Sequence, residues 1–147
     1  MRVGRKGATT SITMNPANAH IDNQLRQVLE RHPLIRLAIL FGSVAKGTAG
    51  FESDLDLAVG AARPLTVQQM MALIEDLVEM SGRPIDLIDL STVGEPLLGQ
   101  IIAHGRRIIG SDTDYVNVVL KHIYNEADFV PLQKRILKER REAWIGK

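Results

Sequence analysis

Two aspartates two positions apart, Asp54 and Asp56, open an apolar run, DLDLAV, that reads as a strand. Side chains two apart on an extended chain share a face, so the two carboxylates stand side by side. Like charges at that separation repel, and the pair is comfortable at neutral pH only around a cation. Magnesium suits such a pair, because it takes hard oxygen ligands and brings phosphates with it. Upstream, Gly42-Ser43 ends another apolar run. Small residues at a strand end let backbone N–H groups approach an anion, and Ser43 adds a hydroxyl donor. One end of this stretch can grip phosphates while the other holds metal. A third acid would complete a two-metal site and help activate an attacking hydroxyl. Asp86 and Asp89, in PIDLIDL, are the candidates. They are three apart and cannot share one face of a regular strand. Asp86 is preferred, since it lies within the run between Ile85 and Leu87, whereas Asp89 near its end can serve as a cap or a solvated residue.

The elements that must position these residues follow from periodicity. Ile21, Leu25, Val28 and Leu29 recur at helical spacing before His32-Pro33. LIRLAILF, residues 34–41, is the first core strand and DLDLAV the second. Thr66 and Gln69 form a capping-box signature for a helix whose apolar positions are Val67, Met70, Met71, Ile74, Leu77 and Val78, with Gly82 as its stop. PIDLIDL is the third strand. EPLLGQIIAHG gives a short helix with Leu97, Leu98, Ile101 and Ile102 inward, followed by a brief RRIIG extension. From Asp112 the chain is helical, and Pro131 is expected to kink that helix or start a new one. The expected organisation is one domain: a flexible leader over 1–19, a core over 20–110 and a helical segment over 111–147. The fold class is α/β (α+β), a small mixed sheet flanked by helices with an added helical C-terminus.

The stretch GSVAKGTAGFESDLDL resembles the signature of the nucleotidyltransferase superfamily that includes DNA polymerase beta: Gly-Ser, ten residues, then Asp-x-Asp. The minimal nucleotidyltransferases share a fuller pattern, which this chain meets at Gly42, Ser43, Ala45, Gly47, Ser53, Asp54, Asp56 and Leu57. GRPIDLIDL is similar to the family's third-carboxylate strand and favours Asp86. The resemblance covers about 34–110 and implies a polymerase-beta-like fold. It also implies Mg-ATP with two ions, metal and catalytic roles for Asp54, Asp56 and Asp86, and a nucleotide site at Gly42, Ser43, Lys46, Asp54 and Asp56. Lys46 departs from the family's frequent arginine. It offers a phosphate a point charge rather than a fork, or is a solvated lysine.

Chains of this size with such a core resemble the antitoxins encoded beside HEPN ribonuclease toxins. That likeness implies transfer of AMP from ATP to a toxin tyrosine, and a hetero-oligomeric complex with the toxin. Three alternatives stand beside it: transfer to a small molecule such as an aminoglycoside, steric neutralisation of the toxin without catalysis, and modification of nucleic-acid ends. Tyr115 and Tyr124 are expected to pack or cap. The C-terminal run LQKRILKERREAWIGK reads either as a solvated face or as a docking helix using Leu132, Ile136, Leu137 and Trp144.

Composition narrows the classes. Eighteen basic and seventeen acidic residues give a net charge of +1, which disfavours direct nucleic-acid binding. No apolar run approaches membrane-span length, so no membrane is expected. The absence of cysteine excludes disulfides and thiolate metal sites and fits a cytoplasmic protein. The four histidines show no metal-binding spacing and are expected at surfaces or helix ends.

Overall fold

The computed structural model describes residues 16–48, 50 and 53–145. Helix α1 spans Pro16–Glu30, with proline at its first position, where a missing N–H costs nothing. The leader expected over 1–19 lies outside the described residues up to 15, and the helix already begins at Pro16. Leu25, Val28 and Leu29 face inward at helical spacing. Strand β1 (Ile35–Phe41) leads directly into a one-turn helix, α2 (Gly42–Lys46). Strand β2 (Leu55–Ala61), helix α3 (Val67–Ser81) and strand β3 (Ile85–Asp89) follow. Helix α4 (Leu97–His104), strand β4 (Arg106–Ile109) and helix α5 (Asp112–Ile145) complete the chain.

The four strands form one mixed sheet in the order β3-β2-β1-β4. β1 pairs antiparallel with both β2 and β4, while β2 and β3 run parallel, joined across α3. The apolar alternation of the strands feeds two layers. Leu40, Leu55, Leu57 and Val59 pack with Leu25 of α1 and with Leu73 and Leu77 of α3. Leu37, Ile39 and Ala58 pack on the other face against Leu98 and Ile101 of α4.

The Thr66 capping box is present: Gln69 N donates to Thr66 Oγ1 at 3.1 Å, and Thr66 N donates to Gln69 Oε1 at 2.9 Å. Gly82 ends α3 in the left-handed conformation with φ 66°. The inward face of α3 differs from the expected one. Leu73 and Leu77 are buried, with Met70 and Ile74 beside them, while Val67, Met71 and Val78 are exposed. Apolar residues cover so much of this helix that its sequence leaves the rotation open, and packing on the sheet chooses it.

RRIIG is more than an extension. As β4 it completes the sheet beyond β1, with Ile39 opposite Arg107 and Leu40 opposite Arg106. The helical tail is one element rather than two: α5 continues through Pro131. The proline forfeits a single intrahelical bond there without ending the element.

An ion pair that the sequence did not suggest ties the ends of the fold together. Asp22 of α1 is buried, and Arg106 meets it through two parallel bonds, Nη2 to Oδ1 at 2.9 Å and Nε to Oδ2 at 3.1 Å. The third arm of the same guanidinium donates to the Ala45 carbonyl at 3.0 Å. One side chain therefore fixes α1, β4 and α2 relative to each other, with the geometric specificity of a bidentate fork.

Candidate active site

Asp56 sits one residue inside β2, opposite Phe41 of β1 on one side and Asp86 of β3 on the other. Side-chain parity decides what it meets. Asp54, Asp56 and Ala58 share a face of their segment, and Ala58 lies in the α4 layer. In β3, Ile88 packs in that same layer, which places Asp86 on the same face. Leu87, with the parity of Asp89, belongs to the opposite layer. Asp89 is employed there: its Oδ2 accepts from Leu65 N and its Oδ1 from Ser91 N, both at 2.8 Å. Of the two acids in the third strand, Asp86 joins the pair and Asp89 anchors loops.

The three carboxylates act on one another. Burial pushes the Asp56 carboxyl up to about 6, with further contributions from the charge of Asp86, a hydrogen bond to Asp86 and the charge of Asp54. An acid whose ionised form is disfavoured first by burial and then by two neighbouring carboxylates is one that a bound cation would favour. Three hard oxygen donors in a half-open setting fit magnesium. Asp54 and Asp86 are exposed and Asp56 half-buried, so the cluster opens to solvent on one side.

The turn after β1 is shaped around this cluster. Gly42 has φ +74°, and a Cβ built on it would overlap the Asp56 carboxylate, 2.9 Å from its Cγ. Glycine is required there both by conformation and by space. Phe41 occupies the N-cap of α2 and supplies no side-chain acceptor. The first N–H groups of α2 therefore lack a capping side chain, beside Ser43, and are donors suited to an anion. Lys46 stands exposed in the last turn of α2. The approach to Asp54 is braced by Arg83, whose Nη1 donates to the Gly50 carbonyl at 3.0 Å and the Ser53 carbonyl at 3.1 Å. Gly50 N donates to Ser53 Oγ at 2.9 Å. Arg83 follows Gly82 in sequence, and no local pattern announces its partners thirty residues earlier.

A cleft of about 610 Å3 lined by Pro33, Arg36, Ala61 and Arg63 lies at the other end of β1 and β2, away from these acids. The histidines differ from expectation at one position. His122 of α5 meets Glu95, Nδ1 to Oε1 at 3.0 Å, and one ligand atom from each of Glu95, His122 and Glu126 lies within 4.8 Å of the others. The four-residue step from His122 to Glu126 is visible in the sequence; the approach of Glu95 is not. Asn125 and Gly99 N also bind Glu95, whose carboxyl is held low by these hydrogen bonds and by His122 against the opposing effect of burial.

A mixed sheet with Asp56 on one strand, Asp54 just before it, Asp86 across the parallel ladder and the Gly42 turn against Asp56 is the arrangement expected of a nucleotidyltransferase. The model of the family described as Polymerase beta, Nucleotidyltransferase matches residues 23–114, and the chain belongs to that family. It is 31% identical over 94 residues to protein adenylyltransferase MntA of Shewanella oneidensis, covering 63% of this chain and 68% of that one. A solved toxin-antitoxin structure with AMP-PNP shares its fold with TM-score 0.70 and 26% identity, over 82% of this chain and 98% of that chain. Another, a tri-AMPylated Shewanella oneidensis HEPN toxin in complex with its MNT antitoxin, aligns with TM-score 0.67 and 23% identity, over 84% and 98% of the two chains. Among the described residues, no helix is long and apolar enough to cross a membrane.

Proposed function

We propose that this chain is the antitoxin of a toxin–antitoxin pair and acts as a protein adenylyltransferase, moving AMP from ATP to a tyrosine hydroxyl of a HEPN-type toxin in the cytoplasm. The observation that carries this reading is the Asp54, Asp56 and Asp86 cluster beside Gly42-Ser43, in a chain whose fold matches one chain of a toxin-antitoxin structure with AMP-PNP over 98% of that chain.

The residues divide the work by chemistry. The Gly42-Ser43 turn and the leading N–H groups of α2 receive the triphosphate, with Lys46 at the far end of that helix as a further cation. Asp54, Asp56 and Asp86 would hold magnesium, two ions being the expected complement, whose charge would offset that of the phosphates. Asp86 accepts the proton of the acceptor hydroxyl. The hydroxyl oxygen attacks the α-phosphorus in line, the bond to the β-phosphate bridging oxygen breaks, and pyrophosphate leaves. Arg106 holds α2 through the Ala45 carbonyl, and Arg83 holds the segment before Asp54 through the Ser53 carbonyl.

Intact-mass spectrometry of the protein encoded beside this one, after incubation with this chain, ATP and magnesium, tests the reading. Mass increments of AMP, lost with Asp54→Asn, are expected. A stable complex without increments would favour steric neutralisation, and no complex with transfer to an aminoglycoside would favour the small-molecule alternative.

A further inference from the structure

Helix α5 is amphipathic twice over. One face holds it to the body: Tyr115 and Val118 pack into the α4 layer, Lys121 Nζ donates to the Leu90 carbonyl at 2.8 Å, and His122 and Asn125 meet Glu95. Half a turn away stand Val116, Leu120, Ile123 and Ala127, spaced four, three and four residues apart. The first three are 50%, 42% and 53% exposed. The same spacing, carried past the middle of the helix, reaches Lys134, Leu137 and Arg141, all exposed. Alternation of threes and fours is the repeat by which one long helix seats against another. A face turned away from its own core gains nothing from that pattern alone.

We propose that this face is a docking seam for a helix of the HEPN-type toxin. That helix would be apolar opposite Val116 to Ala127 and would carry carboxylates seven residues apart opposite Lys134 and Arg141. The proposal rests on the toxin–antitoxin reading for the partner's identity. Charge selects the occupant. A second copy packed in parallel would set Lys134 against Lys134 and Arg141 against Arg141. Packed antiparallel with Leu120 on Leu137, it would bury Arg141 against Val116 and Lys134 against Ile123. Both arrangements bring cations into the seam with no carboxylate facing them, which disfavours a second copy. A partner with acids at those two places satisfies both halves of the seam. Two of the four residues expected to dock in the C-terminal run can be placed relative to this seam. The side chains of Leu132 and Trp144 lie outside the described residues, Ile136 is exposed off the seam, and Leu137 is on it.

The test measures affinity of the full chain for the toxin encoded beside it by titration calorimetry, with Leu120→Asp, Ile123→Asp and the double variant Lys134→Glu with Arg141→Glu. Each is expected to weaken the complex roughly tenfold or more, the loss typical of a central contact. All three variants alter exposed positions and should keep the parental circular dichroism and magnesium-dependent ATP binding. The charge-reversed variant should regain affinity when the facing toxin acids are changed to lysine. Affinities within twofold of the parent overturn the seam. A chain that sediments alone as a dimer, and as a monomer after Leu120→Asp, overturns the choice of occupant in favour of a second copy. A seam-dependent complex without AMP transfer upholds the seam and sinks the transferase reading. Absence of any complex between the parental proteins overturns both.

Discussion

Gly42 and Asp56 occupy adjoining space: the position a Gly42 side chain would take is filled by the Asp56 carboxylate. The turn that offers backbone donors to a phosphate and the acid suited to metal are thereby held in contact by the absence of one methyl group.

Replacing that hydrogen with a methyl should be costly twice. In Gly42→Ala the left-handed backbone costs about 1–2 kcal/mol, and the carboxylate must also move. We expect the unfolding midpoint to fall by roughly 3–8 °C. Nucleotidyl transfer should fall by about tenfold or more, since displacing a reacting group by an ångström is enough for such a loss. Thermal unfolding and single-turnover kinetics check this; unchanged transfer would show that Asp56 can relocate freely.

The acidity of Asp56 gives a pH signature. Its carboxyl rises from 3.8 to about 6 in the folded protein, so the folded state binds this proton more tightly than the unfolded chain. Ionising it opposes folding: the cost is absent below 3.8, grows as pH rises and is complete above about 6. Asp56→Asn, which never ionises, should melt about 2–4 °C higher than the parent at pH 7.5 in EDTA, with little difference at pH 4. Magnesium should reverse the order at pH 7.5 by stabilising the parent alone. A variant less stable than the parent at pH 7.5 without metal would contradict the repulsion.

The two acids of β3 should separate cleanly under the same substitution. Asp86→Asn removes a group opposite Asp56 and should cut transfer by at least about a hundredfold while leaving the melting point within about 2 °C. Asp89→Asn disturbs two short bonds to the Leu65 and Ser91 amides at a buried position and should destabilise by about 1–3 kcal/mol. Transfer at permissive temperature should survive that change. A pattern with the two phenotypes exchanged would make Asp89 the third carboxylate.

What the sequence determined by itself was local. The step from Asp54 to Asp56, the Gly42-Ser43 break and the Thr66–Gln69 box depend on residues within a turn or a strand of one another, and the backbone periods of helix and strand carry that information directly. The resemblance to the minimal nucleotidyltransferases rests on the same short span. Tertiary structure decided the rest. Asp86 opposes Asp56 because β2 and β3 pair in one register, and a slip of one residue would have turned the other face inward. Asp22 finds Arg106 across 84 positions, α3 turns Leu73 rather than Met71 inward, and Glu95 reaches His122, all through packing between elements distant in sequence. Such contacts depend on the mutual fit of whole surfaces, which no local pattern of residue types encodes.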